Sequence, residues 1–376
     1  MRGKDVSVVM DQGPGGRIRA AYIEDGVVRS FYFVHSLAEP LLDDLFVGRV
    51  KEARRRALGW FVDLGEKVSG FLPSDKITGE APSPGTYRLV QVDKEAGREK
   101  PVQLTEKIQL SGDHLVYLPN SNYVAISHQL DHEERECLRK EIAGWLRTPE
   151  GIIVRSKAGR KSAAVLIREL NQLRSEWRSL LKRSAAMKAP GRVCRRLSLL
   201  SSILNENHRP ESCTVFSNIP VDNDEKISAG VDMIYEPADN LFAVHDLEKI
   251  WKSVEQPGVP LPKGASIAIE HTAALTAIDV NTGSRVVGDH WEEQALSINL
   301  DAAREIGRQL RLRGIGGMVA VDFLRLHKHE NRDRVIDELE RVTAQDPATV
   351  KIFGYSEMGL VELTRKRTRR EAADRN

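Results

Sequence analysis

The sequence predicts a multidomain α/β protein, on three observations. The chain has 376 residues, 41% hydrophobic and 29% charged, which is enough for two or three domains with substantial cores. Residues 45–107 break into short apolar runs with basic insertions, the pattern of a small all-β unit. After residue 265, strand-like runs alternate with segments of helical period, which favours parallel strands joined by crossovers.

Three short strands are expected first, at 6–10, 18–23 and 27–34. The last two flank Asp25-Gly26, a good hairpin signal. Strands at 46–50, 59–65, 70–73, 87–92 and 102–104 then fit a five-stranded OB barrel. Trp60, Phe61, Phe71 and Tyr87 are interleaved with Lys51, Arg54, Arg55, Arg56, Lys94 and Lys100. That mixture of stacking surface and phosphate charge is used to hold single-stranded nucleic acid. Phe61 or Phe71 could equally be barrel core, but a tight connection at 65–70 places both near one face.

Residues 108–265 read as mixed. Strands at 114–118 and 124–126 precede a helix around 132–146, a strand at 151–155 and long helices over 162–186 and 191–204. Leu166, Leu170, Leu173, Trp177 and Leu180 keep the three/four spacing of an amphipathic helix. His132 and the pair His245-Asp246 read as structural or exposed. The Pro- and Gly-rich stretch 256–264 reads as a linker.

From 265 the expected order is strands at 267–271 and 275–280, a helix at 293–311, a strand at 317–323, a helix at 332–345 and a strand at 350–353. Asp279 ends the run Ala277-Ile278-Asp279-Val280-Asn281, and Asp322 ends Val319-Ala320-Val321-Asp322-Phe323. Asn281, two positions past Asp279, falls on the same strand face. The helix between the runs carries Leu296, Leu300, Ala303, Ile306 and Leu310 on one stripe. A right-handed crossover makes the two strands parallel and brings both carboxylates to the sheet edge where ligands bind in open α/β folds. If the strands lie side by side, the three oxygen-bearing side chains suit Mg²⁺, which takes one or two carboxylates and keeps positions for water and phosphate. A metal-dependent enzyme acting on phosphate esters is then expected. If the strands lie apart, these are ordinary strand ends.

The net charge is +2, with basic clusters at 49–56, 192–196, 308–313 and 351–370. Each alone reads as a solvated helix face, and together they can form a phosphate-binding surface. No apolar stretch approaches the ~20 residues of a membrane span, and Met1-Arg2-Gly3-Lys4-Asp5 does not open a signal peptide. Cys137, Cys194 and Cys213 are odd in number and widely spaced. That argues against a disulfide framework or a Cys-based zinc site and fits a reducing cytoplasm.

Several motifs, in order along the chain, resemble the ribonuclease E/G family of bacterial endoribonucleases. They include Phe61-Val62-Asp63-Leu64-Gly65, Gly70-Phe71-Leu72-Pro73, Ser111-Gly112-Asp113-His114-Leu115-Val116 and Gly151-Ile152-Ile153-Val154-Arg155-Ser156. Ala274-Leu275-Thr276-Ala277-Ile278-Asp279-Val280-Asn281, the stretch from Asn299 to Gly317 and Gly359-Leu360-Val361-Glu362-Leu363-Thr364-Arg365-Lys366-Arg367 continue the match.

The resemblance implies an RNase H-like part (1–44 and 211–264) interrupted by an S1-type OB domain (45–107) and a 5′-sensor region (108–210), then a DNase I-like α/β catalytic domain (265–376). It implies that Asp279 and Asp322 bind Mg²⁺ and that Asn281 belongs to the catalytic set, orienting a neighbouring group or completing the shell. It implies that Phe61, Phe71 and Lys100 grip single-stranded RNA. Gly112, Val116, Arg155 and Ser156 would hold the RNA 5′-phosphate. A second arginine of that pocket falls on Thr349, with Lys351 as a possible substitute. The family usually continues past its Arg-rich segment into a zinc link and a small dimerisation domain. This sequence resembles a short form without them, so no zinc-linked oligomer is expected, only a monomer or weak dimer. The expected activity is Mg²⁺-dependent cleavage of single-stranded RNA to 5′-phosphate and 3′-hydroxyl ends in the cytoplasm. The alternative is a non-catalytic RNA-binding factor derived from the same family.

Overall fold

A computed structural model describes residues 5–13, 16–34, 39–53, 58–94, 101–195, 198–208, 210–219, 230–283 and 290–367. The chain divides into two compact units, 40–197 and the remainder on either side of it. It opens with β1 (Val6–Gln12), β2 (Ile18–Glu24) and β3 (Val27–Val34), which pair antiparallel in sequence order. Asp25 and Gly26 both have positive φ (50° and 73°), which two-residue hairpin turns demand.

In the 40–197 unit, β4 (Leu45–Ala53), β5 (Gly59–Gly65), β6 (Val68–Pro73), β7 (Tyr87–Lys94) and β8 (Val102–Thr105) close into a five-stranded barrel. Strand alternation settles which aromatics are inside. Trp60, Val62 and Leu64 of β5 point into the core with Phe46, Leu72, Val90 and Leu104. Trp60 is therefore no stacking platform, whereas Phe61 points outward.

Beyond the barrel come β9 (Leu110–Ser111), β10 (Leu115–Leu118), β11 (Val124–Ile126), α1 (His132–Ile142), β12 (Gly151–Val154) and α2 (Ala163–Ala186). The strands form a sheet in the order β11-β12-β10-β9. Helix α2 buries Leu166, Leu170, Leu173 and Leu180, the stripe read from the sequence. The single helix expected over 191–204 is instead β13 (Gly191–Cys194) followed by α3 (Leu199–Glu206). Pro190-Gly191 stops a helix there, and the edge of β4 offers Gly191 and Arg192 a ladder at Val47 and Phe46.

In the other unit, β14 (Cys213–Ser217) and β15 (Val231–Tyr235) add parallel to β1, giving a five-stranded sheet in the order β15-β14-β1-β2-β3. The short helices α4 (Leu241–Val244) and α5 (Glu248–Ser253) cover one side, packing Phe242 and Trp251 on Phe31. A second sheet follows, built from β16 (Gly258–Pro260), β17 (Ser266–His271), β18 (Leu275–Asn281), α6 (Trp291–Arg313), β19 (Gly317–Asp322), α7 (His329–Thr343), β20 (Val350–Tyr355) and β21 (Val361–Arg365). Its strand order is β16-β17-β18-β19-β21-β20. The expected linker at 256–264 contains β16, an edge strand, where proline is tolerated. Strand β21 inserts between β19 and β20, which the sequence pattern did not suggest.

One face of this sheet is covered by α6 and α7. Ile278, Val280, Val319, Val321, Val361 and Leu363 pack there against Ala303, Ile306, Leu310, Val335 and Leu339. The opposite face therefore carries the alternate residues, among them Asp279, Asn281 and Asp322.

Candidate active site

Strands β18 and β19 are parallel neighbours, and Asp279 and Asp322 are direct register partners at their carboxyl ends. The helix that joins them, α6, is closed by Gly314 at φ 71°, a left-handed cap that a residue with a side chain adopts only under strain. The chain turns there and re-enters the sheet at Gly317. Adjacent strands lie about 4.8 Å apart, so two carboxylates on one face reach a common point above the sheet. Both aspartates are exposed. The Asn281 Nδ2 donates to Asp279 Oδ2 at 2.8 Å, fixing that carboxylate's rotation.

Two adjacent hard oxygen donors, open to solvent, fit a divalent cation that keeps most of its shell as water and substrate. No group of three or more His, Cys, Asp or Glu residues able to hold a metal occurs among the described residues.

Two residues that sequence reasoning passed over position the segment after Asp322. Asn299, fully buried on α6, donates its Nδ2 to the Leu324 carbonyl at 2.8 Å and accepts the Leu324 amide at 3.0 Å. Glu292, at the start of α6, accepts the amides of His327 and Lys328, each at 3.0 Å, and the Asn331 Nδ2 at 2.9 Å. These bonds, led by the His327 amide, pull its carboxyl down to about 2. A signal was available for Asn299. It stands three residues after Leu296 and four before Ala303, a polar side chain on an apolar stripe that must find partners when buried.

On the barrel, Phe61 and Phe71 are register partners of β5 and β6, their ring centroids 5.5 Å apart. Both are half-buried on the outer surface. Phe61 lines a groove of about 670 Å³ with Arg49, Lys51, Asp63 and Ser69. Lys51 Nζ lies 3.3 Å from Ser69 Oγ, so an ammonium stands beside the aromatic pair. Lys100 lies outside the described residues.

The four residues of the expected 5′-phosphate pocket come together at one end of the β9–β10–β12 ladder. The Arg155 amide donates to the His114 carbonyl at 2.8 Å, next to the Leu115–Val154 pair. Val116 is buried on β10, while the Arg155 and Ser156 side chains are exposed. Glu169, which the sequence did not single out, organises this corner. It accepts the amides of His114 (2.9 Å) and Leu115 (3.1 Å) and contacts His114 Nδ1 at 2.6 Å. A Cβ on Gly112 would overlap the Glu169 carboxylate and displace it from this position. Lys351 is on the helix-free face of the second sheet, its ammonium 4.8 Å from the Phe353 ring centroid.

The sequence profile of the ribonuclease E/G family matches residues 109–368. The chain is 27% identical to ribonuclease G of Escherichia coli K12 over 93% of its length and 78% of that protein. It is 30% identical to a putative ribonuclease E of Buchnera aphidicola subsp. Baizongia pistaciae, over 86% of each. It is also 30% identical to ribonuclease E of Escherichia coli K12, over 86% of this chain and 33% of that protein.

Proposed function

The chain belongs to the ribonuclease E/G family, and from that premise we propose that it is an endoribonuclease that cuts single-stranded RNA at Asp279 and Asp322. The observation that carries the reading is the register pairing of these two carboxylates on parallel strands, open to solvent on one sheet face. We read the β15-β14-β1-β2-β3 sheet as the RNase H-like part, the barrel as the S1-type OB domain and the β16–β21 sheet as the DNase I-like part. The strand orders support this assignment.

Asp279 and Asp322 would hold Mg²⁺ through their carboxylates. The chemistry such an ion supplies is Lewis acidity toward a phosphate oxygen and a lowered pKa for an attacking water. Asn281 orients Asp279 through its 2.8 Å bond and takes the positioning role. Asn299 and Glu292 hold the backbone that leaves Asp322. Phe61 and Phe71 stack bases, and Lys51 neutralises a phosphate between them. Arg155 and Ser156 hold a 5′-phosphate. Water attacks phosphorus and the bond to the 3′-oxygen breaks, which leaves 5′-phosphate and 3′-hydroxyl ends. Access to an unstacked strand, more than base readout, governs substrate choice.

The test is incubation of a 5′-labelled single-stranded RNA with the purified protein in Mg²⁺ or in EDTA. Cleavage is expected in Mg²⁺ alone and is abolished in Asp279→Asn. Binding without any Mg²⁺-dependent cleavage would identify a non-catalytic RNA-binding factor instead.

A further inference from the structure

The helix-free face of the second sheet extends beyond the carboxylate pair and carries exposed apolar side chains. Met318 is 54% exposed and Phe353 56%. Phe353 sits in a bulge between Ile352 and Gly354, where β20 shifts register against β21. Bulges re-aim a side chain. Val350 and Ile352 pack toward the helices, so Lys351 and Phe353 project from the face that bears Asp322. The Cα partners run from Met318 to Thr364 to Lys351, and from Ala320 to Glu362 to Gly354. Phe353 thus stands two strand spacings across from the Ala320 level, and Asp322 lies two residues further along β19, which puts the pair roughly 12–14 Å apart. Between them the exposed Glu362 side chain stands on β21, flanked by Ala320 and Gly354, which have little or no side chain.

We propose that this face is a second stacking surface for the RNA substrate, with Phe353 holding one base close to the scissile phosphate. The proposal rests on the endoribonuclease reading above. Met318 and Phe353 together leave apolar surface in water on one sheet face, and it is such grouped apolar surface that a ligand covers. Two neighbours say which contact. Lys351 lies over the Phe353 ring at 4.8 Å, orienting it and placing a cation where a backbone phosphate would run. Glu362, the partner of both Ala320 and Gly354, repels phosphate and accepts hydrogen bonds from base amino groups. A strand therefore lies with its base toward the sheet and its backbone on the Lys351 side. Continuity with the carboxylate pair and this division of charge favour RNA over a second protein copy, which would want a larger apolar patch.

The experiment reads binding, not turnover. Single-stranded RNA with one 2-aminopurine, moved position by position, is titrated with protein in EDTA, and stacking quenches the fluorescence. Phe353→Ala is expected to lose the quench at one position and to bind about tenfold more weakly, the scale of one base–aromatic stack. Phe353→Trp retains both and Phe353→Leu neither, which separates stacking from apolar contact. Unchanged affinity and quenching in Phe353→Ala, or full recovery in Phe353→Leu, would overturn the proposal. So would a fall in solution mass from dimer to monomer with RNA affinity intact, since the face would then belong to a second copy. Absence of cleavage by the wild type would sink the endoribonuclease reading while leaving this binding result readable.

Discussion

Asn299 makes both of its amide hydrogen bonds to one residue, Leu324, two positions beyond Asp322. Replacing it with leucine leaves a buried amide and carbonyl without these partners, at about 1–3 kcal/mol each. Asn299→Leu should lower the unfolding free energy by roughly 2–6 kcal/mol in urea titration. Turnover should fall further than the stability loss explains, because the backbone leaving Asp322 is released. An unfolding midpoint equal to that of the wild type would refute this role.

The carboxylate pair predicts one weak divalent site per chain. Titration with Mn²⁺, followed by electron paramagnetic resonance, should find one ion in the wild type. None should remain in either Asp279→Asn or Asp322→Asn, since each removes half of a two-carboxylate donor set. Equal loss from both variants is the diagnostic result.

Glu292 carries a pH prediction. Its carboxyl is held at about 2 in the folded chain, against an ordinary 4.5, chiefly by the His327 amide. A depressed carboxylate stabilises above its unfolded pKa and stops doing so as pH falls through the folded value. The segment after Asp322 should therefore loosen between about pH 4.5 and 2. The protection factors of the His327 and Lys328 amides, measured against their intrinsic exchange rates, should fall in that window in the wild type. In Glu292→Gln the exchange should be fast already at neutral pH.

Arg365 and Asp346 form a buried ion pair, with side chains 0% and 2% exposed and N–O distances of 2.8 and 2.9 Å. Asp346→Ala leaves the guanidinium buried with the Ile315 carbonyl as its remaining contact, at about 3–5 kcal/mol. Thermal unfolding should show a loss of that size. Replacing both residues with apolar ones should cost less.

On the barrel, Phe61→Ala should weaken binding to single-stranded RNA by about 1–3 kcal/mol while the barrel stays folded. Trp60→Ala, one residue away but inside the core, should instead cost about 3–5 kcal/mol of stability. Filter binding and calorimetry on the two variants separate these outcomes.

Much of this was legible in the sequence where local pattern and chain order carry the information. The hairpin at Asp25-Gly26, the stripe on α2, the barrel strands and the parallel crossover joining Asp279 to Asp322 all follow from periodicity and turn residues. What resisted reading was non-local. The stretch 191–204 looked like one helix because the ladder that makes Gly191–Cys194 a strand is supplied by residues 45–47. Strand β21 was obscured by its Arg-rich end, since only the fold provides Asp346 to make a buried Arg365 tolerable.

The sequence by itself determined the family and the two strand-end aspartates, because order along a chain is a one-dimensional fact, whereas the barrel decided that Phe61 and Phe71 face outward and Trp60 inward. Tertiary structure decided that Asp279 and Asp322 share a register, that Asn299 and Glu292 hold the loop between them and solvent, and that Phe353 emerges on the same face. Those relations depend on strand pairing and on side chains meeting 25 or more positions apart. Such contacts are fixed when the sheet closes, and no local pattern encodes them.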